Sequence, residues 1–152
     1  MNIQQVKQII HWCAAFHDSL GQQYRKLAQD ASDPRLKMTL DYLAQHEREM
    51  QGGLNRFLET APADVLNTYF RQVPDLEQPA VLESLRSCLC CASIDDAERA
   101  DAEFHAHLRS MYQQLADLSE TGPVLELFES LARNEDEETR RVARAIASSS
   151  TL

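Results

Sequence analysis

Five residues stand out because their chemistry conflicts with where the sequence places them: His17, Glu47, His105, Glu135 and Glu138. Each falls on a stripe of otherwise apolar residues spaced by threes and fours. Glu47 lies between Leu43 and Met50. Glu135 and Glu138 lie between Leu131 and Val142. His17 follows Cys13 and precedes Leu20, and His105 precedes Leu108. An ionised carboxylate inside a helical core is costly unless compensated. Two compensations suit these types: a divalent metal ion held by carboxylates and imidazoles, or a metal-free layer in which histidines pair with glutamates. Both readings require the five residues to be brought together.

The sequence suggests how. Offset by 88 positions, the chain matches itself without a gap: Phe16-His17 returns as Phe104-His105, Leu20 as Leu108, and Tyr24 as Tyr112. Leu27-Ala28 returns as Leu115-Ala116, and Leu43-Ala44-x-x-Glu47 as Leu131-Ala132-x-x-Glu135. Such a match predicts one structural unit built twice. Each copy reads as a helical hairpin, and pairing them would set His17, Glu47, His105 and Glu135 at one level.

The helices follow from the stripes. The first runs from Ile3 through Val6, Ile9, Ile10, Cys13, Phe16, Leu20, Tyr24 and Leu27 to about Asp30. Asp33 caps the second and Pro34 fits its first turn. This helix carries Leu36, Leu40, Leu43, Glu47, Met50, Leu54 and Phe57, and ends near Thr60-Ala61-Pro62. Ser93 caps the third, with Asp95 and Asp96 favourable in its first turn; its face is Ala97, Asp101, His105, Leu108, Tyr112 and Leu115. Gly122-Pro123 opens the fourth, with Val124, Phe128, Leu131, Glu135, Glu138, Val142 and Ala145. The stripes keep near a 3.5-residue repeat, so the expected fold is all-α, an antiparallel four-helix bundle related by a pseudo-twofold axis. It forms one domain over residues 1–148, with hairpins at about 3–59 and 94–148. The connection, about 60–93, is cut by Pro62, Pro74 and Pro79, with short helices expected at Val65–Val73 and Val81–Cys91. The tail, 149–152, is expected to fray, and no stretch reads as a strand.

Composition narrows the function. The 152 residues carry Lys+Arg 15 against Asp+Glu 24, a formal net charge of −9. That balance argues against nucleic acid and anionic membrane as partners. No apolar run approaches the roughly 18 residues of a membrane span. The start of the chain continues the helical pattern without a small-residue cleavage site, so no signal peptide is expected. Cys88, Cys90 and Cys91 do not resemble a secreted disulfide framework; their one C-x-x-C spacing could serve a redox pair or half a zinc site, and thiols packed in the connection are the simpler reading. A cytoplasmic location follows as the expectation.

The paired pattern resembles the ferritin-like superfamily, most closely rubrerythrin-type domains. Tyr24, Tyr112, Leu43-Ala44, Leu131-Ala132, Glu47 and Glu135 match that family's motifs over residues 10–59 and 98–147. The resemblance implies a ferritin-like bundle and a di-iron centre reactive toward oxygen or peroxide, with Glu47 and Glu135 as bridging ligands. Departures are evident. His17 and His105 stand where the family has Glu, and Met50 and Glu138 where it has His. The four-cysteine module of full rubrerythrins has no counterpart. The half with His105 and Glu138 has exchanged its Glu and His, whereas the half with His17 and Met50 has lost a carboxylate.

The expectation is therefore an asymmetric site holding one divalent ion, iron, manganese or zinc, through His17, Glu47, His105, Glu135 and Glu138. Met50, Tyr24 and Tyr112 would stand beside it. The rival expectation is a non-catalytic relative with a metal-free His/Glu core, acting through its surfaces, with a homodimer as the simplest assembly. No redox partner is legible. His11, His46 and His107 fall off the inward stripes and are expected at the surface.

Overall fold

The computed structural model describes residues 4–74 and 93–150. It is all-α apart from one two-residue strand pairing. Helix α1 spans Val6–Asp30, α2 Pro34–Thr60, the short α3 Ala63–Leu66, α4 Ile94–Asp117 and α5 Gly122–Ser150. Strands β1 (Gln4–Gln5) and β2 (Tyr69–Phe70) pair antiparallel, Gln4 opposite Phe70.

The helix boundaries have local causes. Asp33 accepts from the Arg35 N–H, and Pro34 occupies the first turn of α2, where its missing N–H costs nothing. Ser93 Oγ accepts from the Asp96 N–H while the Asp96 carboxylate accepts from the Ser93 N–H, a reciprocal cap at the start of α4. Gly52 and Gly53 leave α2 unbroken.

The three residues between α1 and α2, and the four between α4 and α5, fold each pair into a hairpin, and most tertiary contact lies within these pairs. Their apolar faces share one core. Phe16 of α1 meets Phe104 of α4 edge-on at 5.7 Å, and Leu20, Leu40, Leu43, Leu108, Leu115 and Phe128 are fully buried. Every residue of the stripe read on α4, from Ala97 to Leu115, is buried.

Two expectations need correction. The stretch Val65–Val73 forms one helical turn and then the β2 strand rather than a helix. Its reason is the aromatic pair: Tyr69-Phe70 favours extended backbone, and Phe70 inserts against Phe128 at 5.7 Å, closing the end of the core. Val6 N–H donates to Thr68 O at 3.0 Å, so the same segment satisfies one of the orphan donors at the start of α1. At the other end, α5 continues to Ser150 instead of fraying at 149. The expected helix at Val81–Cys91, with Cys88, Cys90 and Cys91, lies outside the described residues. Among the described residues no helix is long and apolar enough to cross a membrane.

Candidate metal centre

The four long helices each send one polar side chain to a common point. His17 comes from α1, Glu47 from α2, His105 from α4 and Glu135 from α5, and none is more than 2 % exposed. Within the first hairpin His17 Nδ1 donates to Glu47 Oε2 at 2.5 Å. Within the second His105 Nδ1 donates to Glu135 Oε2, also at 2.5 Å. The hairpins are joined through His105 Nε2, which lies 2.8 Å from Glu47 Oε1. His17 Nε2 comes no closer than 3.6 Å to Glu135 Oε1.

A fifth residue completes the cluster, and the sequence reading did not assign it to the site. Asp101 lies one turn before His105 on α4, buried, with Oδ1 3.5 Å from His105 Nε2. Tyr24, from α1, donates its hydroxyl to the same oxygen at 2.7 Å. Asp101 lies on the α4 stripe, but the internal match does not single it out: the offset of 88 maps it onto Cys13, which is not a carboxylate. The same offset maps Tyr24 onto Tyr112, and the structure places Tyr112 beside Cys13. One tyrosine therefore has a carboxylate to bond, and its counterpart has a thiol. The thiol is a weak partner, and among the described residues no stronger group bonds the Tyr112 hydroxyl.

Glu47, Asp101 and His105 form a group that could hold a metal ion: one donor atom from each lies within 4.8 Å of the others, and all three residues are buried. No protein-family model matches the sequence, and no curated protein or solved structure matches it. The case for the site therefore rests on its own geometry. Glu135 holds the Nδ1 proton of His105, which fixes the tautomer and turns Nε2 toward Glu47 and Asp101. Two carboxylate oxygens and one imidazole nitrogen then face one point, a donor set suited to iron, manganese or zinc.

Electrostatics describe the same atoms without an ion. Burial opposes charge on His17, but the carboxylates of Glu47 and Glu135 outweigh it and raise its pKa from 6.5 to about 9. Burial likewise opposes charge on His105, and Asp101, Glu135 and Glu47 raise it well above the ordinary range. Glu47 is driven the other way: burial disfavours its ionised form, yet His17 and His105 lower its pKa from 4.5 to about 2. Glu135 is lowered by the same two histidines against its own burial.

Other expected residues fall around the cluster. Glu138 does not join it; its carboxylate forms an ion pair with Arg141 at 3.1 Å and lies 3.5 Å from His46 Nε2. Met50 lines an adjoining cleft. His46 is a correction: it is 5 % exposed rather than at the surface. Its ring stacks on Tyr42 at 6.3 Å and meets His105 edge-on at 5.9 Å, so the buried sector of α2 is wider than its apolar stripe. His11 is exposed and His107 half-buried.

Proposed function

We propose that the chain is a ferritin-like metalloprotein, a four-helix bundle of two repeated hairpins, holding one divalent transition-metal ion through Glu47, Asp101 and His105. The observation that carries this reading is the convergence of those three donors within 4.8 Å in a fully buried layer. The ferritin-like assignment is supported by the equal spacing of the two His–Glu pairs, thirty residues in each hairpin.

In this reading Glu135 orients His105, Tyr24 orients Asp101, and His17 supplies a positive charge that balances the surplus carboxylate. Without an ion, a proton on His105 Nε2 occupies the position between His105 and Glu47. An ion there would take the place of that proton, with the His105 Nε2 lone pair as its ligand. Iron or manganese there would supply one-electron redox chemistry, and zinc would supply Lewis acidity. The test is elemental analysis of protein purified without added metal, followed by a Co²⁺ titration read in the visible. One equivalent, lost on Asp101→Ala, is the expected result, and no binding at any pH where the histidines are neutral overturns the reading.

A second reading keeps the fold and drops the metal. It is favoured by the bond from His105 Nε2 to Glu47 Oε1, which satisfies both atoms without an ion. It predicts a protein indifferent to chelators that acts through its surfaces.

A further inference from the structure

A pocket of about 110 Å³ lies in the groove between α1 and α2, lined on one side by Arg25 and on the other by Arg48. Among the described residues neither guanidinium has an ion pair or a hydrogen bond. Two exposed arginines alone would be an ordinary solvated face. The second hairpin supplies the contrast. The offset of 88 matches Gly21, also in the lining, with Arg109, and Arg48 with Asp136. There the Arg109 guanidinium bridges α4 to α5, donating to the Asp136 carboxylate at 3.1 Å. In the first hairpin a glycine stands where the bridging side chain would start, and an arginine stands where its carboxylate would be. Open space replaces the long side chain, and positive charge replaces the anion.

We infer that the α1–α2 pocket binds a small planar monocarboxylate, with Arg25 and Arg48 as its clamp. A guanidinium presents paired N–H donors that match the two oxygens of a carboxylate. The other charged groups in the lining set the charge of the ligand. Asp18 is negative, but it lies beyond ion-pair reach of both arginines and accepts from Gln22 Nε2 at 3.0 Å. His17 lines the pocket too, and its charge is already met by Glu47 and Glu135. Two guanidiniums against one carboxylate leave a single positive charge unanswered, which a monoanion neutralises and a dianion overshoots. The pocket is smaller than the sites that take drug-sized ligands, so it suits an ion of a few heavy atoms. Acetate and bicarbonate share this chemistry. The inference does not rest on the metal, because no residue of the lining belongs to the Glu47–Asp101–His105 group.

The probes are sodium acetate, bicarbonate and sulfate, each replacing chloride at constant ionic strength in a solution of the full chain and read by amide chemical shifts. Expected are saturable shifts at Gly21, Arg25 and Arg48 with both carboxylates, and weaker binding of sulfate. The tighter of acetate and bicarbonate tells an organic acid from dissolved carbon dioxide as the source. Arg48→Gln should weaken acetate by about tenfold, the worth of one charge-assisted hydrogen bond. Arg48→Asp should abolish it, because the groove then carries its own carboxylate as the second hairpin does with Asp136. Arg48 is exposed, so both variants should fold, and both should leave the Co²⁺ titration unchanged. Failure here and failure of the metal reading are thereby read separately. Sulfate binding as tight as acetate, unchanged acetate binding in Arg48→Gln, or shifts as large at Arg133 and Arg140 outside the pocket would each overturn the inference. So would the absence of a saturable shift with either carboxylate.

Discussion

His105 Nε2 stands 2.8 Å from Glu47 Oε1, and through this contact the second hairpin's histidine is bound to the first hairpin's glutamate. Each histidine also bonds the glutamate of its own hairpin. Glu47 thus accepts from both imidazoles, one on each oxygen, and is the residue on which the buried layer turns.

Glu47→Gln should therefore be the most destabilising polar substitution in the metal-free protein. It removes the charge that compensates His17 and His105, both almost fully buried. Breaking one partner of a buried pair costs about 3–5 kcal/mol. Urea unfolding of metal-free protein measures it, and a loss below about 1 kcal/mol, the range of surface pairs, would mean the layer is solvated.

The pH dependence of that stability follows from the shifts. His17 has its folded pKa raised from 6.5 to about 9, so its contribution is complete below 6.5 and disappears as pH rises through about 9. Glu47 has its folded pKa lowered from 4.5 to about 2, so its contribution is complete above 4.5 and disappears as pH falls toward about 2. Metal-free protein should be most stable between these limits, from about pH 4.5 to 6.5, and weaker on either side. Urea midpoints at about pH 5.5, 7.5 and 9.5 should fall in that order. A midpoint that rises toward alkaline pH would contradict protonated histidines in the core.

Metal should show the opposite trend. The ion competes with the proton on His105 Nε2, so its apparent affinity should climb with pH while the metal-free fold weakens. Calorimetry in buffers of different ionisation enthalpy should register proton release on Co²⁺ binding. A heat independent of buffer would mean that the ion binds away from His105.

The ligand assignment separates Asp101 from Glu138. Asp101→Asn should weaken metal binding by at least about 10–100-fold, whereas Glu138→Gln should leave it within a few-fold. Glu138 faces His46 and Arg141 instead of the cluster. Reversal of this order would restore the ligand set expected from the repeat.

That contrast also marks what the sequence could convey. Periodicity identified the buried faces because burial is written into spacing: all six residues read on α4 are buried, and the Asp33 and Ser93 caps are where their side-chain chemistry places them. The His17, Glu47, His105 and Glu135 layer was legible for the same reason. Asp101 was on the stripe yet went unassigned, because its role depends on Tyr24 crossing from another helix, which no local pattern encodes. His46 lies three residues after Leu43 and seven after Thr39, on the flank of the α2 stripe; its burial is hidden in the sequence by its polar type and by the width of a buried sector that also takes in Thr39 and Ala44. The β1–β2 pairing involves two residues per strand far apart in sequence, too short for any alternation to be visible.

The two tyrosines supply the last prediction. Tyr24 and Tyr112 are matched in sequence by the offset of 88, and both are at most 1 % exposed. Their hydroxyls nevertheless have different circumstances. Tyr24 donates to Asp101 at 2.7 Å, so Tyr24→Phe leaves a buried carboxylate short of a donor, at a cost of about 1–3 kcal/mol. It should also weaken metal binding, because Asp101 loses the bond that orients it. The Tyr112 hydroxyl has the Cys13 thiol beside it, a weak partner that burial holds protonated, its pKa pushed up to about 12. Tyr112→Phe removes a hydroxyl whose neighbour is that weak thiol partner, and should leave stability unchanged or raise it slightly. Cys13→Asp would give Tyr112 the acceptor that Tyr24 has, but would add a fourth carboxylate to the layer. It should be tolerated only with a second equivalent of divalent ion present. Chemical denaturation of the three variants, with and without Co²⁺, tests the series. Equal losses for the two Tyr→Phe variants would mean that the hydroxyls are equivalent and the Asp101 contact is idle.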